Sequence, residues 1–211
     1  MKDIVLSLYD LTGNMARPWV EAGYTAVLVD MQHKPGIEHD GNVIRIGADI
    51  RNGWMPPRDI VDRIAFVSAF PPCDHLAVSG ARWFKGKGLR KLALSVDLFA
   101  TAAELCEWIG APYMIENPVS TISSYWRKPD ATFHPHHFTL LEPDDNYTKA
   151  TCLWLKNLPP LTPTNIVEGR DARVHRMPPG PNRWKERSRT FEGIGAAMAA
   201  QWGGNAMEQA A

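Results

Sequence analysis

The sequence predicts an α/β protein built on a mostly parallel, doubly wound sheet. Three observations predict it. Short apolar runs alternate with stretches of helical period through the first half of the chain. Gly, Pro or Asp punctuates nearly every change of pattern. The residues that close the apolar runs include Asp10, Asp30, Asp49, Cys73 and Glu116, and such sheets bind their ligands at the carboxyl ends of the strands.

Ile4 to Tyr9 (IVLSLY) reads as a buried strand, with Asp10 to Asn14 as the turn after it. Met15 to Ala22 has helical spacing and stops at Gly23, a natural C-cap. Thr25 to Val29 is a second strand ending on Asp30, and Val43 to Ile46 a third, followed by Gly47-Ala48-Asp49. A helix begins at Pro57 and gives way to a strand over Ile64 to Phe70, which Pro71-Pro72 stops. Leu89 to Ile109 repeats apolar residues with helical period, and Tyr113 to Ile115 is a strand that Glu116-Asn117-Pro118 terminates. Residues 118–189 are irregular and rich in Pro, Trp, His and Arg, with one strand at Thr151 to Leu155; this region is expected to contact substrate. A small-residue helix, Phe191 to Trp202, follows, and 205–211 reads as a frayed tail.

The 211 residues suit a single domain spanning 1–211. Lys+Arg and Asp+Glu both number 23, so the chain is neutral, which excludes a generally polybasic binder and permits local basic patches. Three scattered cysteines make neither a disulfide framework nor a CxxC zinc site, and point to a reducing compartment. No signal peptide or uncharged span of membrane length is read, so the expectation is a cytoplasmic protein without a membrane partner. His134, His136 and His137 lack the spacing of a metal-ligand set, and no metal is expected.

Several residues carry chemistry by type and place. Gly13-Asn14 lets backbone approach a ligand, although the turn is not a GxGxxG fingerprint. Asp30 stands where α/β nucleoside binders place an acid on ribose hydroxyls, and Asp49 could accept from an adenine amine. Aspartates at strand ends are also ordinary turn formers. Cys73 follows two prolines and sits in a polar loop, the setting of a functional thiol, whereas Cys106 and Cys152 lie in apolar runs. Glu116 among apolar neighbours suits a proton donor of raised pKa, or a turn cap.

In order and register, Leu8-Tyr9, Thr12-Gly13-Asn14, Asp30, Gly47-Ala48-Asp49-Ile50, Phe70-Pro71-Pro72-Cys73, Ser79-Gly80 and Ile115-Glu116-Asn117 resemble the motifs of the DNA cytosine-5 methyltransferases. The resemblance covers about residues 4 to 120, and Arg189-Thr190 with Gly193-Ile194-Gly195 resemble the family's final motifs. It implies a Rossmann-like class I methyltransferase fold and S-adenosylmethionine as cofactor, held by Tyr9, Leu11, Thr12, Gly13, Asn14, Asp30, Asp49, Ile50 and Pro72. Cys73 would be the nucleophile that adds to C6 of cytosine, and Glu116 the group that holds N3 and the exocyclic amine. DNA would be the partner, with the target base flipped or unpaired. The pattern departs from the family at Asp74, where a glutamine is usual, at Pro118, and in lacking a Gln-x-Arg motif, for which Lys149 or Thr151 would substitute, Lys149 taking the catalytic role. The chain after Asn117 is short for a full target-recognition domain. It resembles the small phage and prophage forms, acting in the bacterial host cytoplasm, with a protein partner that could supply recognition.

Two basic, aromatic-interleaved segments suit a phosphate backbone. In the first, Ser79, Arg82, Lys85 and Lys87 would contact substrate, and in the second Arg183 and Lys185. A nucleotide, RNA or another pyrimidine stays open as substrate, as does an inactive methyltransferase-like binding protein.

Overall fold

The computed structural model describes residues 2–140, 142–167, 170–178, 180, 187 and 190–204. Along the chain run β1 (Ile4–Leu8), α1 (Arg17–Glu21), β2 (Thr25–Val29), β3 (Gly36–Asp40), β4 (Val43–Gly47), α2 (Arg58–Val61), β5 (Ile64–Ala69) and α3 (Phe84–Ile109). Then come β6 (Tyr113–Pro118), α4 (Ile122–Tyr125), β7 (Ala131–Phe133), β8 (Thr151–Lys156), α5 (Arg173–Arg176) and α6 (Glu192–Trp202). The eight strands make one sheet ordered β3-β4-β2-β1-β5-β6-β8-β7. β4, β2, β1, β5 and β6 are mutually parallel, while β3, at one edge, and β8 run antiparallel to their neighbours. The direction of winding reverses between β1 and β5, the point where doubly wound sheets open a crevice for ligand.

Both faces of the sheet are covered, which is why β1 and β5 read as apolar runs broken by a single serine each. Alternate residues sort by face. Ile4, Leu6 and Leu8 join Phe99, Ala102 and Cys106 of α3. Val5 points to the other face, with Met15, Trp19, Phe66, Met198 and Trp202. There Trp19 stacks on Phe66 at 4.9 Å, and Trp202 meets the same ring at 5.8 Å. The early helix α1 and the late helix α6 thus share one layer.

Several elements differ from the sequence reading, the short helices α4 and α5 within 118–189 among them. β3 forms a hairpin with β4 although all five of its residues are exposed, because the turn at Gly41-Asn42 and the backbone ladder hold it. α3 begins at Phe84 and breaks at Gly88 (φ 76°, ψ 173°), so its first turn has its own direction. β6 continues through Glu116 to Pro118, because its outer edge pairs with β8 after β5 has ended at Ala69. Within 118–189 a second strand, β7, completes the sheet edge against β8; three residues are too few to show a period. The expected tail, 205–211, lies outside the described residues. No described helix is long and apolar enough to cross a membrane.

Candidate active site

At the β1/β5 switch point the strand ends surround a cavity of about 330 Å³. One end is lined by Tyr9, Asp10, Leu11, Thr12, Asp30 and Gln32, and the other by Pro72, Cys73, Asp74, Glu116, Asn117 and Lys149. Thr190 and Arg187 close it from the last part of the chain.

The first end is built around Asp10, whose role the sequence did not show. Asp10 is buried, and its Oδ1 accepts from the amides of Thr12 (3.0 Å) and Gly13 (2.7 Å) while Ser7 Oγ donates to Oδ2 (2.8 Å). Ser68 Oγ on β5 donates in turn to Ser7 Oγ at 2.9 Å, so a buried relay joins the two strands that flank the switch point. Gly13 has φ +71°, and a Cβ there would come within 2.9 Å of Leu28 Cδ1; the loop needs glycine twice over. Gly13 and Asn14 shape the loop without lining the cavity, and Asn14 Nδ2 reaches the Thr190 carbonyl at 3.5 Å. Tyr9 occupies left-handed backbone (φ 57°), a strained state for a bulky residue, and its hydroxyl donates to the Leu98 carbonyl at 3.0 Å. Burial holds the Tyr9 phenol well above its ordinary range.

Asp30 is buried at the tip of β2, where its Oδ1 accepts from the Gln32 amide at 2.7 Å. Burial raises its pKa, so its carboxylate gains from any further donor offered. Asp49 is placed differently. It caps a short 3₁₀ turn, and Arg51 occupies both carboxylate oxygens, at 3.1 Å and 2.6 Å. That pair holds Asp49 below the usual carboxylate range. Ile50 is buried in the core, and neither residue lines the cavity.

At the other end Cys73 is half-buried, with its carbonyl accepting from the amides of Leu76 and Ala77 at 3.0 Å each. Burial, reinforced by the charges of Glu116 and Asp74 and opposed by Lys149, pushes the thiol up to about 11. Burial also raises Glu116, again opposed by Lys149. Lys149 stands 5.6 Å from the centre of the Phe191 ring and lines the cavity with both groups, so the three catalytic candidates meet. Asn117, absent from the sequence reading as a site residue, donates from Nδ2 to the Pro71 carbonyl at 2.8 Å and ties the Cys73 loop to β6. Its partner is a backbone atom, for which sequence carries no signal.

Ser79, Arg82, Lys85 and Lys87 lie outside the cavity, on the 3₁₀ helix Val78–Trp83 and the first turn of α3. Lys87 Nζ donates to the Asp74 carbonyl, which holds that turn against the Cys73 loop. Arg183 and Lys185 lie outside the described residues. His134, His136 and His137 pack ring on ring, 4.4 to 5.7 Å between centroids, and burial keeps His136 and His137 below the ordinary imidazole range.

The last helix closes the wall by close approach. A Cβ on Gly193 would lie 2.5 Å from the Phe138 carbonyl oxygen, and one on Gly195 3.2 Å from Met15 Cα. The Gly193 amide donates to Asp145 Oδ2 at 2.9 Å, and Arg17 pairs with Glu192 at 2.8 Å. These contacts bring Thr190 beside the β1–α1 loop. No protein-family model matches the chain, and no curated protein matches it.

Proposed function

We propose that this pocket binds S-adenosylmethionine at its Asp30 end and methylates C5 of a cytosine in DNA at its Cys73 end, through a covalent bond from Cys73 Sγ to C6. The observation that carries the reading is the meeting of Cys73, Glu116 and Lys149, from three separate stretches of chain, in one cavity with Asp30. The winding order of the sheet supports a Rossmann-like class I methyltransferase fold, and the motif order in the sequence supports the reaction.

The residues present fit the cofactor. Asp30 is a buried carboxylate in the cavity wall, suited to ribose hydroxyls, and Tyr9, Leu11, Thr12 and Gln32 would complete the cradle. Asp49 and Ile50 would act only through the Tyr9 wall; Asp49's charge raises the Tyr9 phenol. Bound there, S-adenosylmethionine supplies an electrophilic methyl group. The protein's part is to make C5 nucleophilic. Cys73 gives its proton to water and adds Sγ to C6, while Glu116, whose affinity for its proton burial raises, donates a proton to N3. The two steps assist each other, since a charged Glu116 raises the Cys73 thiol and a neutral one does not. Lys149 adds a fixed cation that favours the thiolate. Once C5 is methylated, its proton passes to water, the Sγ–C6 bond breaks with the electron pair returning to sulfur, and N3 returns its proton to Glu116.

DNA containing 5-fluorocytosine tests this, because fluorine cannot leave C5 as a proton does. The expected result is a denaturant-resistant adduct that requires S-adenosylmethionine, vanishes in Cys73→Ser and persists in Cys106→Ser and Cys152→Ser. The high thiol pKa favours a second reading, a binding protein that keeps the pocket without turnover. Wild type that binds cofactor and DNA yet forms neither adduct nor 5-methylcytosine establishes that one.

A further inference from the structure

Beside the Cys73 loop lies a surface that the catalytic pocket does not use. Between residues 75 and 96 the chain contains no Asp or Glu, while Arg82, Lys85, Lys87, Arg90 and Lys91 all fall there, in a chain whose overall charge is 0. Trp83 is at the centre of that segment and is 61% exposed, far above what a packing residue shows. The Arg82 guanidinium lies over the indole ring, 5.0 Å from its centroid. Arg82, Lys85, Arg90 and Lys91 are exposed around it.

The segment is fixed to the site at two points. Val78 donates its amide to the Val119 carbonyl at 3.0 Å, one residue past the end of β6. Lys87 holds the Asp74 carbonyl, next to Cys73. The break at Gly88 then lets the turn carrying Trp83 and Lys85 take a direction separate from the body of α3. The turn that carries Trp83 is therefore held against the loop that carries the thiol.

We infer that this surface is a docking platform for single-stranded DNA, with Trp83 stacking on a base next to the target cytosine and the surrounding cations following the phosphates. The inference rests on the function proposed above and names the state of its substrate. Charge selects a polyanion. The flat indole selects among polyanions, because a base can lie on it only when its own face is free, and paired bases in a duplex are already stacked on one another. A protonated arginine behind the ring strengthens such stacking and pairs with the adjoining phosphate. A strand that arrives unpaired also removes the cost of extracting the target base from a helix.

Binding of a fluorescein-labelled 15-mer by the full chain, followed by anisotropy without S-adenosylmethionine, tests the platform separately from catalysis. The single strand is expected to bind at least about 10-fold tighter than the same sequence as a duplex. Trp83→Ala should weaken the single strand by about 10-fold, and Trp83→Phe should keep most of the affinity. The triple variant Lys85→Gln, Arg90→Gln, Lys91→Gln should flatten the slope of log affinity against log salt by about 2, near 0.7 for each lost phosphate contact. Equal or tighter duplex binding overturns the inference, as does Trp83→Ala with wild-type affinity. Tighter binding of the RNA of the same sequence overturns the assignment to DNA. If the strand binds as expected and no 5-fluorocytosine adduct forms, the platform stands and the methyl-transfer reading falls.

Discussion

Asn117 donates its side-chain amide to the Pro71 carbonyl at 2.8 Å, and both groups are buried. The bond makes the strand that carries Glu116 the support of the loop that carries Cys73. Asn117→Ala leaves a buried carbonyl without its donor, at a cost of about 1–3 kcal/mol. The expected outcome is a Tm several degrees lower, with adduct formation on 5-fluorocytosine DNA slowed at temperatures where the variant is still folded. An unchanged adduct rate would make the bond a matter of stability alone.

Glu116 gives a prediction with a definite sign. Burial holds its pKa above the ordinary 4.5 in the folded protein. Below pH 4.5 the group is protonated in folded and unfolded chains alike, and its stabilising neutral form is fully present. As pH rises past 4.5 the unfolded chain ionises first, and stability is lost until the folded group ionises too. Glu116→Gln stays neutral throughout. Its Tm should match wild type at pH 4 and exceed it at pH 7.5, by about 2–4 °C for each kcal/mol of burial penalty removed. The same variant takes one raising charge away from Cys73, so iodoacetamide should alkylate its thiol faster than wild type at pH 8.

The glycines of α6 rank themselves. Gly193→Ala drives a methyl to 2.5 Å from a backbone oxygen that cannot swing aside, whereas Gly195→Ala meets Met15 backbone atoms at 3.2 and 3.3 Å. Both should destabilise, Gly195→Ala by about 1–3 kcal/mol and Gly193→Ala by more. Chemical denaturation of the two variants checks the order.

The parts of this molecule that sequence reveals are those where burial shapes composition. β1, β2 and β5 are covered on both faces and are written as apolar runs; β3 is exposed throughout and owes its existence to a ladder of backbone bonds with β4. The same division holds at the site. Cys73 and Glu116 could be singled out by residue type and by their places at strand ends, and Lys149 or Thr151 only through the family resemblance. Asp10 and Asn117 act on amides and a carbonyl that every residue owns, so their importance emerges only once the chain is folded. Asp49 shows the converse, since Arg51, two positions away, takes the carboxylate that its strand-end place had seemed to offer a ligand.

The wall that α6 contributes has a consequence for the order in which the protein is made. Asn14 and Thr190 are separated by 176 positions, and Arg17 and Glu192 by 175. A ribosome therefore delivers Cys73 and Glu116 well before the residues that close the cavity over them. Contacts of such separation form slowly, and domains of this size pass through partly packed states. Nascent chains stalled before α6 emerges should hold the parallel strands around an open trough that α6 closes last.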